Sequence, residues 1–193
     1  MSCKFRRKQA FSQKVFLTEL IHKLPFIALI LVIMKRIILC AALLLFFAAA
    51  YSQNIAKLKM TDVVQRMNQA NDTTYIVNFW ATFCKPCVAE IPSFIQLAEK
   101  YKTQKVKLVL VSLDLPSYYP KRIAAFVAAK KWKTSVAWLN ETNADYFCPM
   151  VDSAWSGAIP ASVVINAKRG YKKFWEGEVK EEALKSALEA IKQ

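Results

Sequence analysis

The sequence predicts an α/β domain with a central, mixed but mostly parallel sheet, helices on both faces and an antiparallel hairpin near its C-terminal end. Two observations predict this class. From residue 60 onward, apolar segments of strand length alternate with amphipathic segments of helix length, which is typical of parallel strands joined by helical crossovers. Near the C-terminus, two strand-like segments are separated only by a short turn that ends in glycine, which indicates a hairpin.

The sequence of the first half of this domain predicts two helices and two buried strands. Apolar residues spaced three and four apart indicate helices over residues 60–70 and 84–101. Runs rich in β-branched and aromatic residues indicate strands over residues 75–80 and 106–113. Helices and strands therefore alternate through this half of the domain.

The second half predicts three helices and three strands. In chain order these are a helix over 120–131, a strand over 135–139, a short helix within 143–155, strands over 161–166 and 171–175, and a helix over 180–192. Pro120 suits the first position of its helix, where no N–H donor is needed. The last helix is amphipathic, with these residues on the predicted core side: Leu184, Ala187, Leu188 and Ile191.

The chain divides into a leader over residues 1–52 and the domain over residues 53–193. A charged start at residues 34–36 is followed by the uncharged run Ile37–Ala50 and by a small-x-small end at residues 50–52. A charged start, an apolar middle and an end of this kind are the pattern of a signal peptide.

Two interpretations of the leader stay open. In the first, translation starts at Met34, residues 1–33 are an upstream extension, and a signal peptide over residues 34–52 is cleaved. In the second, the leader is kept as a membrane anchor, although its run of fourteen uncharged residues falls short of the roughly 20 that span a bilayer. Both interpretations place the domain outside the cytoplasm, in the periplasm or an equivalent compartment.

The net charge of +14 comes equally from two parts of the chain. Residues 1–36 carry eight basic residues and one acid, and residues 53–193 carry twenty basic and thirteen acidic residues. Within the domain the basic residues occur singly or in pairs such as Lys130-Lys131 and Lys172-Lys173, which is typical of a solvated surface. We therefore expect no nucleic-acid partner.

Three of the five cysteines belong to the domain, namely Cys84, Cys87 and Cys148. Cys84-Lys85-Pro86-Cys87 directly follows a predicted strand and opens a predicted helix. The first cysteine of such a pair lies where unpaired N–H groups and the helix dipole favour a thiolate, and the second lies one turn inside the helix. The pair can therefore attack a disulfide through Cys84 and resolve the mixed disulfide through Cys87.

Other uses of the pair are limited by the residues around it. A zinc site needs further ligands, and the only histidine, His22, lies in the leader, so Cys148 and a carboxylate would have to serve. Val88 stands where c-type haem attachment needs a histidine, and a Cys-His hydrolase lacks its base. A purely structural disulfide stays open, although so short a loop constrains little chain entropy. We expect no metal and no cofactor beyond the cysteine pair.

Two segments resemble known motifs. Residues 80–87 (WATFCKPC), followed by Glu90-Ile91-Pro92, resemble the active-site segment of the thioredoxin superfamily and are most similar to the extracytoplasmic TlpA/ResA-like thiol-disulfide oxidoreductases. Gly157–Ser162 resembles the cis-proline loop of that family. The similarity covers residues 58–192 and implies a thioredoxin fold for nearly the whole domain.

The resemblance implies roles for individual residues. Cys84 matches the nucleophile and Cys87 the resolving cysteine. Pro160 matches the cis-proline beside the disulfide, whose neighbouring backbone holds an extended substrate segment; an ordinary trans proline is the alternative. The residues expected to contact substrate are Trp80, Lys85, Pro86, Ile159 and Pro160.

Glu90 matches a carboxylate seen in TlpA/ResA-like proteins, and it lies one helical turn beyond Cys87. Thioredoxins of the cytoplasmic type carry a buried aspartate where this chain has Asn78, and an amide cannot exchange protons. A partly buried Glu90 with a raised pKa would accept the Cys87 proton as a catalytic base. A solvent-facing glutamate without that role is the alternative.

The expected function is that of a disulfide reductase acting on client proteins outside the cytoplasm. A membrane-bound thiol donor would re-reduce the Cys84–Cys87 disulfide, because the periplasm holds no general thiol buffer. Two alternatives stay open: a thiol oxidant or peroxidase of the same fold, and a copper-binding, thioredoxin-like chaperone that uses its soft thiolates. Cys148 is expected to be a buried, inert thiol, with a regulatory or intermolecular role as the alternative.

Overall fold

The computed structural model describes residues 31–41 and 54–191, which fall into two separate units. Residues 31–41 form helix α1, and every residue of it is exposed. The expected cleavage site at residues 50–52 and residues 1–30 of the expected extension over 1–33 lie outside the described residues, so the interpretation of the leader stays a prediction. In the two described ranges, no helix combines the length and the apolar composition that crossing a membrane requires.

The second unit contains six strands and five helices within residues 54–191. The strands are β1 (Ala56–Leu58), β2 (Thr74–Trp80), β3 (Val106–Ser112), β4 (Ser135–Leu139), β5 (Ala161–Asn166) and β6 (Tyr171–Glu176). The helices are α2 (Met60–Met67), α3 (Lys85–Lys100), α4 (Lys121–Ala129), α5 (Ala144–Val151) and α6 (Glu181–Ala190). Every helix and strand predicted from the sequence is confirmed, and β1 is added.

The six strands form one mixed sheet in the order β1-β4-β3-β2-β5-β6. The first four are parallel to one another, β5 runs antiparallel to β2, and β6 runs antiparallel to β5. This topology confirms the mostly parallel sheet with its closing hairpin. The sequence did not reveal β1, because three residues at the edge of a sheet are too few to show a period.

Two local features differ from the predictions. Pro120 caps α4 rather than occupying its first helical position, since a short 3-10 turn precedes it and Lys121 begins the helix. Its peptide bond with Tyr119 is cis, which no sequence pattern indicated. The short helix predicted within residues 143–155 is α5, and the Asn143 side chain accepts a hydrogen bond from the Tyr146 N–H and so caps that helix.

Successive side chains of a strand point to opposite faces, so each face of the sheet carries its own core. On one face, Ile76 and Trp80 of β2 pack with apolar residues of α3, α4 and α6. On the other face, Val77 and Phe79 pack with apolar residues of α2 and α5. All residues of both cores belong to the second unit. We therefore expect residues 53–193 to fold by themselves.

Candidate active site

The cysteine pair lies where β2 ends and α3 begins. Cys84 is the N-cap residue of α3, Cys87 lies in its first turn, and the two form a disulfide with their Cα atoms 5.3 Å apart. Cys84 keeps 8% of its surface exposed, whereas Cys87 is fully buried. The Sγ atom of Cys84 accepts the backbone N–H of Cys87 at 3.3 Å. A helix N-terminus with such a donor favours a thiolate on Cys84 once the pair is reduced.

The Ile159–Pro160 peptide bond is cis, as the resemblance implied, and it lies at the start of β5. Because β5 pairs with β2 and sets Ala161 opposite Phe79, the proline lies beside the strand end that leads to the disulfide. Pro160 is buried and Ile159 is half-buried. The backbone N–H of Gly177 donates to the Pro160 carbonyl at 2.8 Å, which ties this loop to the end of β6.

Glu90 is buried on α3, one turn beyond Cys87, with 8% of its surface exposed. Its carboxylate accepts hydrogen bonds from Asn78 Nδ2 and from the Val179 N–H, both at 2.8 Å. Burial raises the pKa of this carboxyl, the Val179 and Asn78 hydrogen bonds oppose that rise, and the charge of Glu178 adds to it. The predicted burial of Glu90 is confirmed, and the solvent-facing alternative is wrong.

Asn78 joins this carboxylate to the strand that follows the cis-proline. Its Nδ2 also donates to Ser162 Oγ at 2.9 Å, and Asn78 and Ser162 are both fully buried. Asn78 Oδ1 has no hydrogen-bond partner among the residues that the structure describes. Three polar side chains, from β2, α3 and β5, thus form one buried cluster. Sequence reasoning missed Ser162 and Val179, because nothing near them in the chain marks them as partners of Glu90.

Asp114 holds the loop that precedes the disulfide. It follows β3, is buried, and accepts hydrogen bonds from the Thr82 N–H at 3.1 Å and the Thr82 hydroxyl at 2.6 Å. Ser112 Oγ donates to the same carboxylate at 2.7 Å, and the Trp138 indole N–H donates to the Asp114 carbonyl at 2.7 Å. These bonds tie the loop between β2 and α3 to the ends of β3 and β4.

Glu176 holds the cis-proline loop from the other side. It is the last residue of β6, and its carboxylate accepts hydrogen bonds from the N–H groups of Ser156 and Ala158, both at 3.1 Å, and from the Ser156 hydroxyl. The Ser156 hydroxyl and N–H are the main causes of a lowered pKa for Glu176, and the Ala158 N–H contributes to it. No sequence motif pointed to this residue or to Asp114.

The residues expected to contact substrate divide between the surface and the core. Lys85 and Pro86 occupy the first two positions of α3, where Lys85 is exposed and Pro86 is half-buried. Trp80 is fully buried and packs against Trp132 and Phe126, with ring centroids 5.2 and 5.9 Å away. Trp80 therefore has no surface to offer a substrate, which corrects that prediction. Strand alternation turns its side chain into the core that also contains both cysteines.

Two exposed apolar residues near the pair were missed from the sequence. Phe83, which precedes Cys84, is 65% exposed, and Leu115, which follows Asp114, is 59% exposed. Because Asp114 binds Thr82, both apolar side chains belong to segments that meet at the same edge of the sheet. The position of Phe83 next to the first cysteine was a usable signal, whereas Leu115 is remote in the sequence and carries none.

Cys148 lies on α5 as a free thiol that is 3% exposed, so its predicted burial is confirmed and its inertness stays a prediction. Burial raises the pKa of this thiol, and the charges of Glu176 and Asp145 raise it further. Across the described parts of the chain, no three His, Cys, Asp or Glu side chains are grouped so that they would hold a metal ion.

The sheet topology, the disulfide at a helix start and the cis-proline beside it together define a thioredoxin-fold protein with a Cys-x-x-Cys site. The sequence model of the AhpC/TSA family matches residues 46–170, and the chain belongs to that family. The thioredoxin-related protein from Neisseria meningitidis serogroup B shares the fold, with a TM-score of 0.54 and 27% identity, over 63% of this chain and 87% of that one.

Two curated relatives indicate which kind of protein within the family this chain resembles. The thiol-disulfide oxidoreductase ResA of Geobacillus thermodenitrificans is 26% identical over 116 residues, which cover 60% of this chain and 62% of the relative. The thiol-disulfide oxidoreductase ResA of Oceanobacillus iheyensis is 51% identical over 39 residues, which cover 20% of each chain. The chain thus spans less than two thirds of the length of these relatives. Within the family, it is ResA/TlpA-like.

Glu90→Gln is expected to change how the stability of the oxidised domain depends on pH. In the folded domain the pKa of Glu90 lies above 4.5, its ordinary value. Between these two pKa values folded Glu90 keeps a proton that the unfolded chain releases, so the domain loses stability as the pH rises from 4.5 through the folded pKa. The amide of the variant does not titrate. Denaturant unfolding of residues 53–193 between about pH 4 and about pH 8 should show the variant gaining stability relative to the wild type as the pH rises. A pH-independent difference would contradict the raised pKa.

Glu176→Gln is expected to loosen the cis-proline loop. Loss of the charged acceptor should speed hydrogen exchange at the Ser156 and Ala158 N–H groups by about tenfold. Because the folded pKa of Glu176 is lowered, the wild type should lose the same protection only as the pH falls from 4.5 through the lowered value.

The matched control for the loop is Glu178→Gln, which removes the same charge two residues further on. The Glu178 side chain is exposed and makes no hydrogen bond with any residue that the structure describes. Exchange at Ser156 and Ala158 should be unchanged in this variant. Equal acceleration in both variants would show that the loop responds to net charge and not to the Glu176 hydrogen bonds.

Proposed function

We propose that this chain is a thiol-disulfide oxidoreductase that reduces protein disulfides through Cys84 and Cys87. The observation that carries the proposal is the asymmetry of the pair: Cys84, at the helix N-cap, keeps 8% of its surface exposed, whereas Cys87, one turn inside the helix, keeps none. Disulfide exchange uses such an arrangement, since one sulfur must meet the client and the other must resolve the mixed disulfide. The names of the curated relatives support the same activity.

The reaction starts from the reduced pair. The Cys84 thiolate attacks one sulfur of a client disulfide, a Cys84–client bond forms, and the second client sulfur leaves as a thiolate and takes up a proton. The Cys87 thiolate then attacks the Cys84 sulfur, which releases the first client sulfur and leaves the Cys84–Cys87 disulfide. Two electrons pass to the client, and the pair ends in the oxidised state, with the same bond that the structure contains.

Glu90 serves as the base in the second step. Cys87 is fully buried, so its proton must be taken up inside the core before its sulfur can attack. Glu90 lies one turn along the same helix, and a carboxyl with a raised pKa accepts that proton more readily than an ordinary carboxylate does. Asn78 and Val179 hold its two oxygens by hydrogen bonds, so the base is oriented before the client arrives.

The client segment binds in an extended conformation along the cis-proline loop. The backbone at Ile159 borders the disulfide edge of the sheet, and Glu176 holds the residues that precede it. Lys85 is exposed at the start of α3, next to the first cysteine. Phe83 adds an exposed aromatic surface on the other side of Cys84, which favours apolar residues in the client beside its disulfide.

The domain acts outside the cytoplasm, where client disulfides persist. The charged start, uncharged run and small-x-small end over residues 34–52 support this location. Each turnover leaves an oxidised pair, so a membrane-bound thiol donor re-reduces it in a compartment without a thiol buffer. The redox-active disulfide is the only electron carrier that this chemistry needs, and no further cofactor enters the proposal.

A redox titration tests the proposed activity. Residues 53–193 are equilibrated in thiol buffers and read by alkylation and by tryptophan fluorescence, because Trp80 lies in the same core as both cysteines. We expect a two-electron transition near about −270 mV, the value of a reductase. Cys84→Ser should abolish the transition, and Cys148→Ser, which removes the buried free thiol, should leave it unchanged.

Other results of the titration separate the alternatives. A transition near about −120 mV would make the chain a thiol oxidant. Consumption of hydrogen peroxide coupled to oxidation of Cys84 would make it a peroxidase. Stoichiometric copper(I) binding without a two-electron transition would favour the copper chaperone. Absence of a titratable pair would overturn the proposal and leave a structural disulfide.

Glu90→Gln should slow resolution of the mixed disulfide without slowing its formation. General-base catalysis contributes about 10²–10⁴-fold, so resolution should slow by about a hundredfold or more. Rapid mixing of the reduced domain with an aromatic disulfide, followed by acid quenching, measures the two steps separately. Glu182→Gln is the matched control, because Glu182 is exposed on α6 and its charge is not among the causes of the raised Glu90 pKa, and it should leave both rates unchanged. Equal slowing of both steps in Glu90→Gln would contradict a role for Glu90 in accepting the Cys87 proton.

A further inference from the structure

Basic side chains surround an open cleft at the end of the sheet opposite the disulfide. The cleft has a volume of about 650 Å³ and is lined by Arg66, Lys102, Lys105, Lys107 and Lys133. All five residues are exposed, and Glu99 is the one acidic residue in the lining. We call this region the basic cleft. Its cations outnumber its carboxylates five to one.

The fold collects these cations from separate parts of the chain. They come from the last turn of α2, the connection between α3 and β3, the start of β3, and the segment before β4. Thr74 and Val106, the first residues of β2 and β3, are paired, so the basic cleft lies at the N-terminal edge of the parallel strands. The disulfide follows the C-terminal end of β2, a strand of 7 residues that spans about 20 Å.

Most of the positive charge in the basic cleft is uncompensated. Lys102 pairs with Glu99 at 3.1 Å, and Lys105 pairs with Asp72 at 3.8 Å, both at the protein surface. The side chains of three cations make no ion pair or hydrogen bond with any residue that the structure describes: Arg66, Lys107 and Lys133. Like charges gathered in one cleft raise the local positive potential and attract an anionic partner.

The chain joins the domain beside the basic cleft. A smaller cavity shares Arg66, Thr134 and Ser135 with it and is also lined by Asn54, the first described residue of the domain. The first described residue of the domain therefore lies on its cationic side.

We propose that the basic cleft binds the phosphate groups of an anionic lipid bilayer. Exposed cations around an open surface suit the many phosphates of a membrane, where each Lys or Arg strengthens binding by about fivefold. A site for one soluble phosphate would present a buried donor, and every cation here is exposed. Binding to the membrane does not depend on the proposed thiol chemistry.

Co-sedimentation of residues 53–193 with phospholipid vesicles tests the proposal. Vesicles of mixed phosphatidylglycerol and phosphatidylcholine should bind the domain, and vesicles of phosphatidylcholine alone should not. Added salt should weaken binding, because it screens exposed charges. The double variant Lys107→Gln/Lys133→Gln should bind about 25-fold more weakly, at about fivefold for each lost charge.

A matched double variant separates the effect of the basic cleft on binding from the effect of the net charge. Lys121→Gln/Lys180→Gln removes the same charge from two exposed lysines at the starts of α4 and α6, at the disulfide end of the sheet. This variant should bind vesicles as the wild type does. The rate of disulfide exchange should be the same in the wild type and in both double variants. If exchange is absent while vesicle binding persists, the result counts against the proposed activity and leaves membrane binding standing.

Several results would overturn membrane binding. Failure of the domain to sediment with anionic vesicles would be one such result. Equal weakening of binding by both double variants would be another, because it would reduce the effect to net charge. Release from vesicles by inorganic phosphate at constant ionic strength would assign the basic cleft to a soluble phosphate ligand. Tighter binding to duplex DNA than to vesicles at the same salt concentration would assign it to a nucleic acid.

Discussion

The antiparallel pairing of β5 with β2 is the constraint on which the whole site depends. β2 carries the chain into the disulfide loop, β5 begins directly after Pro160, and their register sets Ala161 opposite Phe79. The same register brings Ser162 to Asn78, 84 positions away in the chain. Both strands are buried along their whole length, so the two apolar cores stabilise the pairing from both faces. A slip of one residue would turn each of these side chains to the wrong face.

This pairing also explains how an apolar core keeps a carboxyl group. Burial disfavours the charged form of Glu90, while donors on Asn78 and Val179 favour it, and burial is the larger effect. The two donors come from β2 and from the segment after β6, so the carboxyl is held between parts of the chain that only the folded sheet unites. An acid or base oriented in this way needs little reorganisation before it exchanges a proton with its helix neighbour Cys87.

The two ends of the sheet differ in how their charged groups are used. At the disulfide end, Asp114 and Glu176 bind loop N–H and hydroxyl groups, so their charges hold the backbone around the site. At the other end, cations on four separate segments face solvent with few partners. The domain is therefore polar along its strand axis, with anchored carboxylates near the redox pair and free positive charge about one strand length away.

Local patterns in the sequence were enough to predict the order of helices and strands, the cysteine pair at a helix start and Glu90 one turn beyond it, because periodicity, capping and helical spacing act between near neighbours. These patterns did not reveal β1, whose three residues show no period. They also led to the prediction that Trp80 contacts substrate, although that side chain lies wholly in the core. The groups that surround Glu90 and the lysines that share one cleft could be identified only in the folded domain. Such contacts join residues as far apart as 89 positions, and they depend on the packing and register of the whole sheet.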